Sequence, residues 1–199
     1  MVINVETDRN FEATLTEFLS MNLKIVIKPV ANGSSIGLHI VDNVDSLKSA
    51  VADMKKSLHP LYMAEKFIKG RELTIGVTER NGQLIALPPS EVLVIDGSSF
   101  DYDGKYLGTN TKEITPADLK PDEVIKAQNL ALLAHRKLQC FGYSRTDAIL
   151  APEGLFFIET NTLPGVTKAS FIPQQLAAAN ISMTDFIQEQ MNLAENRYL

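Results

Sequence analysis

Residues 143–161 leave the chain little freedom of structure. Two alternating stretches, 143–150 and 155–161, flank Pro152-Glu153-Gly154, a turn signal, and so read as an antiparallel hairpin. With the short connection 151–155, Asp147 lies opposite Glu159 and Arg145 opposite Asn161. Side chains alternate along a strand, which puts these four on one face with Ile149 and Phe157. Two carboxylates opposed across strands repel each other. A hard divalent cation removes that repulsion, and carboxylate and amide oxygens are the ligands Mg²⁺ takes. A solvated polar face on which Arg145 neutralises one acid fits the same spacing. A slip of one residue would scatter the cluster, so both readings stand on the register.

The remaining pattern mixes strands and helices without a regular βαβ alternation. Residues 2–5, 24–28 and 38–41 read as short strands. Residues 8–20 place Phe11, Leu15, Phe18 and Leu19 at helical spacing, and a helix from Asp45 carries Leu47, Val51, Met54 and Leu58 on one stripe. Strands 61–67 and 71–79 are joined by Ile68-Lys69-Gly70, and Asn81-Gly82 marks a hairpin turn. In the second of these strands Leu73, Ile75 and Val77 point inward, leaving Glu72, Thr74 and Thr78 on a polar face. Residues 96–112 lack periodicity and read as a long loop, which in a compact domain is functional or disordered. Pro121 opens a long helix with Val124, Ala127, Ala131, Ala134 and Leu138 inward, and helices near 170–179 and 184–194 close the chain. The fold class expected is α+β with antiparallel sheets.

Composition narrows the function. With 199 residues, 45% of them hydrophobic, the chain can bury a core as one large domain or two small lobes. A net charge of −5 offers no basic field for a nucleic acid, though a phosphate ligand needs only a few local cations. Cys140 is the single cysteine, so no internal disulfide forms; it reads as a core residue. No apolar run approaches the roughly 20 residues of a membrane span, and residues 1–10 lack a signal-peptide core. The cytoplasm is the expected location, with neither nucleic acid nor membrane as partner.

Two further segments carry weaker signals. Residues 32–37, Asn-Gly-Ser-Ser-Ile-Gly, offer consecutive backbone N–H groups and two hydroxyls that can cradle a polyphosphate, with Lys28 beside them. They form neither a Walker A loop nor a Rossmann fingerprint, and a plain turn of small residues fits equally. Residues 65–72 can supply backbone groups for an adenine and a carboxylate for a ribose; a crossover with surface charges is the alternative.

In order and spacing, the motifs at 28–37 (KPVANGSSIG), 65–72 (EKFIKGRE), 102–106 (YDGKY), 145–147 (RTD) and 159–170 (ETNTLPGVTKAS) resemble those of D-alanine–D-alanine ligases in the ATP-grasp superfamily. The last motif is the most specific. The resemblance implies an ATP-grasp fold: two α+β lobes, residues 1–75 and 76–199, holding ATP between them. It gives Lys28 to the α- and β-phosphates, and Ser34 and Ser35 to a lid over phosphates and substrate. Glu65 and Lys66 would meet the adenine edge, Ile68 the base through its backbone, Glu72 the ribose and Lys105 the γ-phosphate, with Phe157 also at the nucleotide. Asp147, Glu159 and Asn161 would hold Mg²⁺ or Mn²⁺. Arg145 and the Gly165 N–H would form the oxyanion site, and Ser170 and Phe171 would hold the second substrate's carboxylate. Tyr106 would pair with Ser34, as in dipeptide-forming rather than depsipeptide-forming relatives.

The implied reaction joins two D-alanines through an acylphosphate, as peptidoglycan synthesis requires. An ATP-grasp ligase for another amino acid, and a nucleotide-binding module without chemistry, are the competing readings. The resemblance starts at the central lobe of the family. The family's further amino-terminal α/β domain has no counterpart in these residues, so the chain reads either as a fragment of a longer ligase or as a naturally short relative, and weak Mg-ATP binding with poor ligation is expected from it alone. A homodimer is compatible with it.

Overall fold

The computed structural model describes residues 1–31, 35–94 and 111–197. The chain divides into two compact units, one of Met1–Ile68 with Val94–Thr111 and one of Lys69–Leu93 with Lys112–Leu199. The lobe boundary expected at 75/76 falls inside a strand, Arg71–Arg80.

The first unit is a four-stranded sheet in the order β1-β4-β2-β3, where β1 is Val2–Asn4, β2 Ile25–Pro29, β3 His39–Val41 and β4 Leu61–Lys66. Every pairing is antiparallel. Alternation sends Ile25 and Ile27 of β2, with Tyr62 and Ala64 of β4, to one face. There they pack with Phe11, Leu15 and Leu19 of α1 (Phe11–Asn22) and Leu47, Ala50, Val51 and Met54 of α2 (Val44–Lys56). The helical stripes read from sequence are thus the core, with one correction. Leu58 is 98% exposed, because α2 stops at its C-cap Ser57 and the stripe runs one turn past it. The start of α2 is fixed by a capping box. Asn43 Oδ1 accepts from the N–H groups of Asp45 and Ser46 at 2.9 and 2.8 Å, and the Asn43 N–H donates to Ser46 Oγ at 3.2 Å. The opposite sheet face carries Val26, Lys28, Met63 and Glu65, paired Val26 to Glu65 and Lys28 to Met63.

The second unit is a six-stranded sheet, β10-β9-β5-β7-β8, with β6 also pairing β5. Its strands are β5 (Arg71–Arg80), β6 (Gln83–Ala86), β7 (Ser90–Val94), β8 (Thr111–Ile114), β9 (Tyr143–Ala151) and β10 (Gly154–Asn161). The strand β8 begins inside the stretch 96–112 read as loop; residues 96–110 lie outside those described. On one face Leu73, Ile75, Val77 and Ala148 pack against Ala127 and Ala131 of α3 (Pro121–Lys137). The inward stripe of α3 ends on His135, 2% exposed and within 2.8 Å of Ser144 Oγ, whereas Leu138 is 54% exposed beyond the helix. Cys140 is half-buried rather than in the core.

The expected polar face of β5 is covered. Thr74 and Thr78 are buried because α4 (Phe171–Ala178) and α5 (Met183–Asn196) lie over that side. Gly76 makes this possible. A Cβ there would stand 2.6 Å from Gln175 Oε1 and 2.8 Å from Ile172 Cδ1, so a glycine marks where helix and strand approach most closely.

Candidate active site

The hairpin register is the one read from sequence: Glu159 pairs with Asp147 and Asn161 with Arg145. The two-residue turn Pro152-Glu153 pins the alignment at Gly154–Ala151, which continued unbroken would set Ile158 opposite Asp147; one extra residue before Glu159 brings Glu159 and Asn161 into the expected register. One feature differs. The register shifts between Phe157 and Glu159, so Ile158 is an extra residue and Phe157 pairs with Ala148 rather than following the alternation of the acids. The unbroken alternation that put Phe157 on the acid face does not hold, and Phe157 is 46% exposed.

Arg145 donates to Asp147 with both arms, Nε to Oδ1 at 3.0 Å and Nη2 to Oδ2 at 2.8 Å. With side chains about a quarter exposed, this is the bidentate fork that arginine alone can make. The reading in which Arg145 neutralises one acid is therefore what this geometry displays. Asp147 has a further donor that sequence reasoning did not assign: Thr74 Oγ1, 2.6 Å from Oδ1, from the paired position on β5. Among the described residues no hydrogen bond or ion pair is made by the Glu159 or Asn161 side chains.

The donor set suits a hard divalent cation. It comprises two carboxylates and an amide oxygen on adjacent strands, with Glu159 exposed and Asn161 half-buried. It is an open set, not a closed cage: among the described residues no group of three His, Cys, Asp or Glu could hold a metal. Mg²⁺ keeps several waters and completes its shell from substrate phosphates, so few protein oxygens suffice.

Beyond β10 the chain turns back toward α4. Pro164 is buried and its carbonyl accepts from Tyr143 OH at 3.4 Å, which anchors the turn to β9. Burial raises the Tyr143 pKa, keeping that phenol protonated and a donor. Ser170 stands at the N-cap of α4 but does not cap it; its Oγ accepts from the Thr167 N–H at 3.2 Å and lies 2.9 Å from Thr167 Oγ1. The first N–H groups of α4 are left without that cap, at the positive end of the helix. Phe171 lies beneath Arg145, whose guanidinium carbon is 5.9 Å from the ring centroid. Gly165 approaches Ser170 so closely that a Cβ would meet Oγ at 3.0 Å. Arg145, Asp147, Gly165, Ser170 and Phe171 thus form one neighbourhood.

Behind it lies a buried amide. Gln175 accepts from the Gly76 N–H at 2.9 Å and donates to Thr74 O at 2.8 Å and Ser90 Oγ at 3.0 Å. Sequence reasoning missed this residue; a glutamine on the inner side of a short apolar helix was the only available signal.

In the first unit, Lys28 Nζ lies 2.8 Å from Glu65 Oε2, with 18% and 42% of the two side chains exposed. Lys66 is exposed at the end of β4, and the Phe67 N–H prolongs the pairing to Lys24 O at 3.0 Å, leading to half-buried Ile68. Ser35 adopts φ 57° in a turn closed by Leu38 N–H to Ser35 O at 3.1 Å. Glu72, half-buried in the second unit, pairs with Ile149 and Val92. Ser34, Lys105 and Tyr106 lie outside the described residues.

Comparison with known proteins agrees with this geometry. Residues 3–192 match the family described as D-ala D-ala ligase C-terminus. A D-alanine–D-alanine ligase of Leptospira interrogans is 38% identical over 192 residues, covering 94% of this chain and 54% of that protein. The Syntrophobacter fumaroxidans ligase is 41% identical over 175 residues, covering 87% and 56%. The chain thus spans about half the length of these curated relatives. Among solved structures, D-alanyl-alanine synthetase A from Vibrio cholerae superposes with a TM-score of 0.82 at 24% identity, a likeness of fold, covering 97% of this chain and 59% of that one. VanG D-Ala:D-Ser ligase from Enterococcus faecalis gives 0.80 at 28% identity, covering 96% and 55%. The D-alanine–D-alanine ligase from Bacillus anthracis gives 0.80 at 27%, covering 98% and 61%. With its α+β architecture, its antiparallel sheets and its hairpin of two acids, an arginine and an amide, the chain belongs to the D-Ala–D-Ala ligase C-terminal family and has the ATP-grasp fold.

Proposed function

We propose that the chain is the catalytic region of an ATP-dependent D-alanine–D-alanine ligase, forming the dipeptide for peptidoglycan. The observation that carries this reading is the Asp147–Glu159 and Arg145–Asn161 pairing on one hairpin. Asp147, Glu159 and Asn161 hold the metal, Mg²⁺ or Mn²⁺, which when bound neutralises phosphate charge. Lys28 binds the α- and β-phosphates and exchanges its Glu65 partner for them. Glu65, Lys66 and Ile68 meet the adenine, Glu72 the ribose, Lys105 the γ-phosphate. Ser34, Ser35 and Tyr106 close over the reacting groups. Arg145, released from Asp147, joins the Gly165 N–H in stabilising the oxyanion, while Ser170 and the start of α4 hold the second amino acid's carboxylate. The substrate carboxylate takes the γ-phosphoryl group from ATP, releasing ADP and giving an acylphosphate; the second amine attacks its acyl carbon and expels phosphate, the chain's part being positioning and charge neutralisation. A cytoplasmic location and assembly as a homodimer belong to the same reading.

A specific observation keeps a second reading in view. The D-Ala:D-Ser ligase and the B. anthracis ligase resemble this chain equally, so likeness does not select the second amino acid. Coexpression with the amino-terminal half of the Leptospira relative, followed by product analysis with D-alanine alone and with D-alanine plus D-serine, separates the readings. D-Ala–D-Ala is the expected product. A mixed dipeptide formed in preference would support the second reading. Mg-ATP binding with no product from any amino acid would leave a nucleotide-binding module.

A further inference from the structure

The Thr74 hydroxyl is 2.6 Å from Asp147 Oδ1, a length typical of an O–H donating to a charged carboxylate. Thr74 is 4% exposed, so water does not compete for its single proton, and its β-branched side chain is stiff at χ1. Its backbone is equally constrained. The carbonyl accepts from Gln175 Nε2 at 2.8 Å, and Gln175, on the inner face of α4, is fully buried. The two oxygens of Asp147 are therefore held unequally. Oδ1 has both Thr74 and Arg145 Nε, whereas Oδ2 has Arg145 Nη2. When Arg145 is redirected, Oδ2 loses its donor and Oδ1 stays tied to β5.

We propose that Thr74 is a positioning residue for the metal site: it fixes the Asp147 carboxylate from behind, through Oδ1, so that the aspartate stays oriented when Arg145 lets go. This rests on reading Asp147 as a metal ligand. Losing such a supporting partner typically weakens metal affinity by about 10–100-fold. Gln175 acts one layer further out, tying the strand that carries Thr74 to the helix that starts at Phe171.

The test titrates the intact chain with Mn²⁺, counting free ion by electron paramagnetic resonance, and measures ATP affinity with and without metal. Thr74→Val and Thr74→Ala remove the hydroxyl by different routes, so one remains informative if the other does not fold; Thr74→Ser restores it. The expected result is Mn²⁺ affinity weakened about 10–100-fold in both hydroxyl-free variants, recovered in the serine variant, with metal-free ATP affinity unchanged. Natural Mn²⁺ affinity in a folded hydroxyl-free variant overturns the proposal, as does an equal loss of metal-free ATP affinity. If the natural chain takes up no Mn²⁺ even with ATP, the metal-ligand reading of Asp147 fails and this inference falls with it.

Discussion

At the residue scale, the site is built from groups whose replacement separates chemistry from folding. Arg145 uses two parallel N–H donors toward Asp147, a geometry lysine lacks. Arg145→Lys is expected to cost about 10²–10³ in ligation rate, measured in the reconstituted enzyme. The pair is partly exposed, so denaturant midpoints should register a stability change of about 1 kcal/mol or less. Arg71 behaves in the opposite way. It forks Glu91 at 2.7 Å with Nε and Nη2, and Nη2 also donates to Asp118 O at 2.6 Å. Its bond to Glu91 raises the Arg71 pKa, and Glu91 is 2% exposed. Arg71→Ala strands a buried carboxylate and is expected to destabilise the chain by about 3–5 kcal/mol in chemical denaturation. Adding Glu91→Gln should recover part of that loss.

At the element scale, the hairpin and the helix behind it were both legible in the sequence, but where that helix packs was not. A connection over 151–155 with strict alternation places Glu159 opposite Asp147; the structure reaches the same pairing by a two-residue turn and one extra residue, Ile158. The bulge at Ile158 has no sequence signature, because an extra β-branched residue looks like any other strand residue, and it displaced Phe157 from its expected face. Gln175 acts across 99 residues to Gly76, a separation no local pattern encodes. The buried face of β5 was misread for the same reason: Thr74 and Thr78 are polar in sequence and buried by helices about a hundred residues away. Gly76→Ala tests this packing. Its Cβ meets Gln175 and Ile172 inside 3 Å, so a shift of α4 is expected, with about 1–3 kcal/mol lost by thermal or denaturant unfolding.

At the scale of the whole molecule, histidines set the acid limit of stability. Burial lowers the pKa of His39, against an opposing pull from Asp53, and burial lowers that of His135, with Arg136 adding to the effect. In both, the unfolded chain binds a proton that the native state refuses. Stability is therefore complete above about pH 6.5 and declines as pH falls below it toward the native values. Thermal midpoints from pH 7.5 to 5 should follow that course, and His135→Gln should flatten it.

Also at this scale, among the described residues no helix is long and apolar enough to cross a membrane. The family match covers residues 3–192, whereas the metal-binding role proposed for Asp147, Glu159 and Asn161 rests on the hairpin's chemistry. The most direct test is calorimetric titration of ATP into the chain with and without Mg²⁺, repeated on Glu159→Gln. Binding that strengthens severalfold with Mg²⁺ in the natural chain, and loses that gain in the variant while metal-free affinity persists, is the expected result. ATP affinity indifferent to Mg²⁺, or a gain untouched by Glu159→Gln, would contradict the assignment of this face as the metal-nucleotide site.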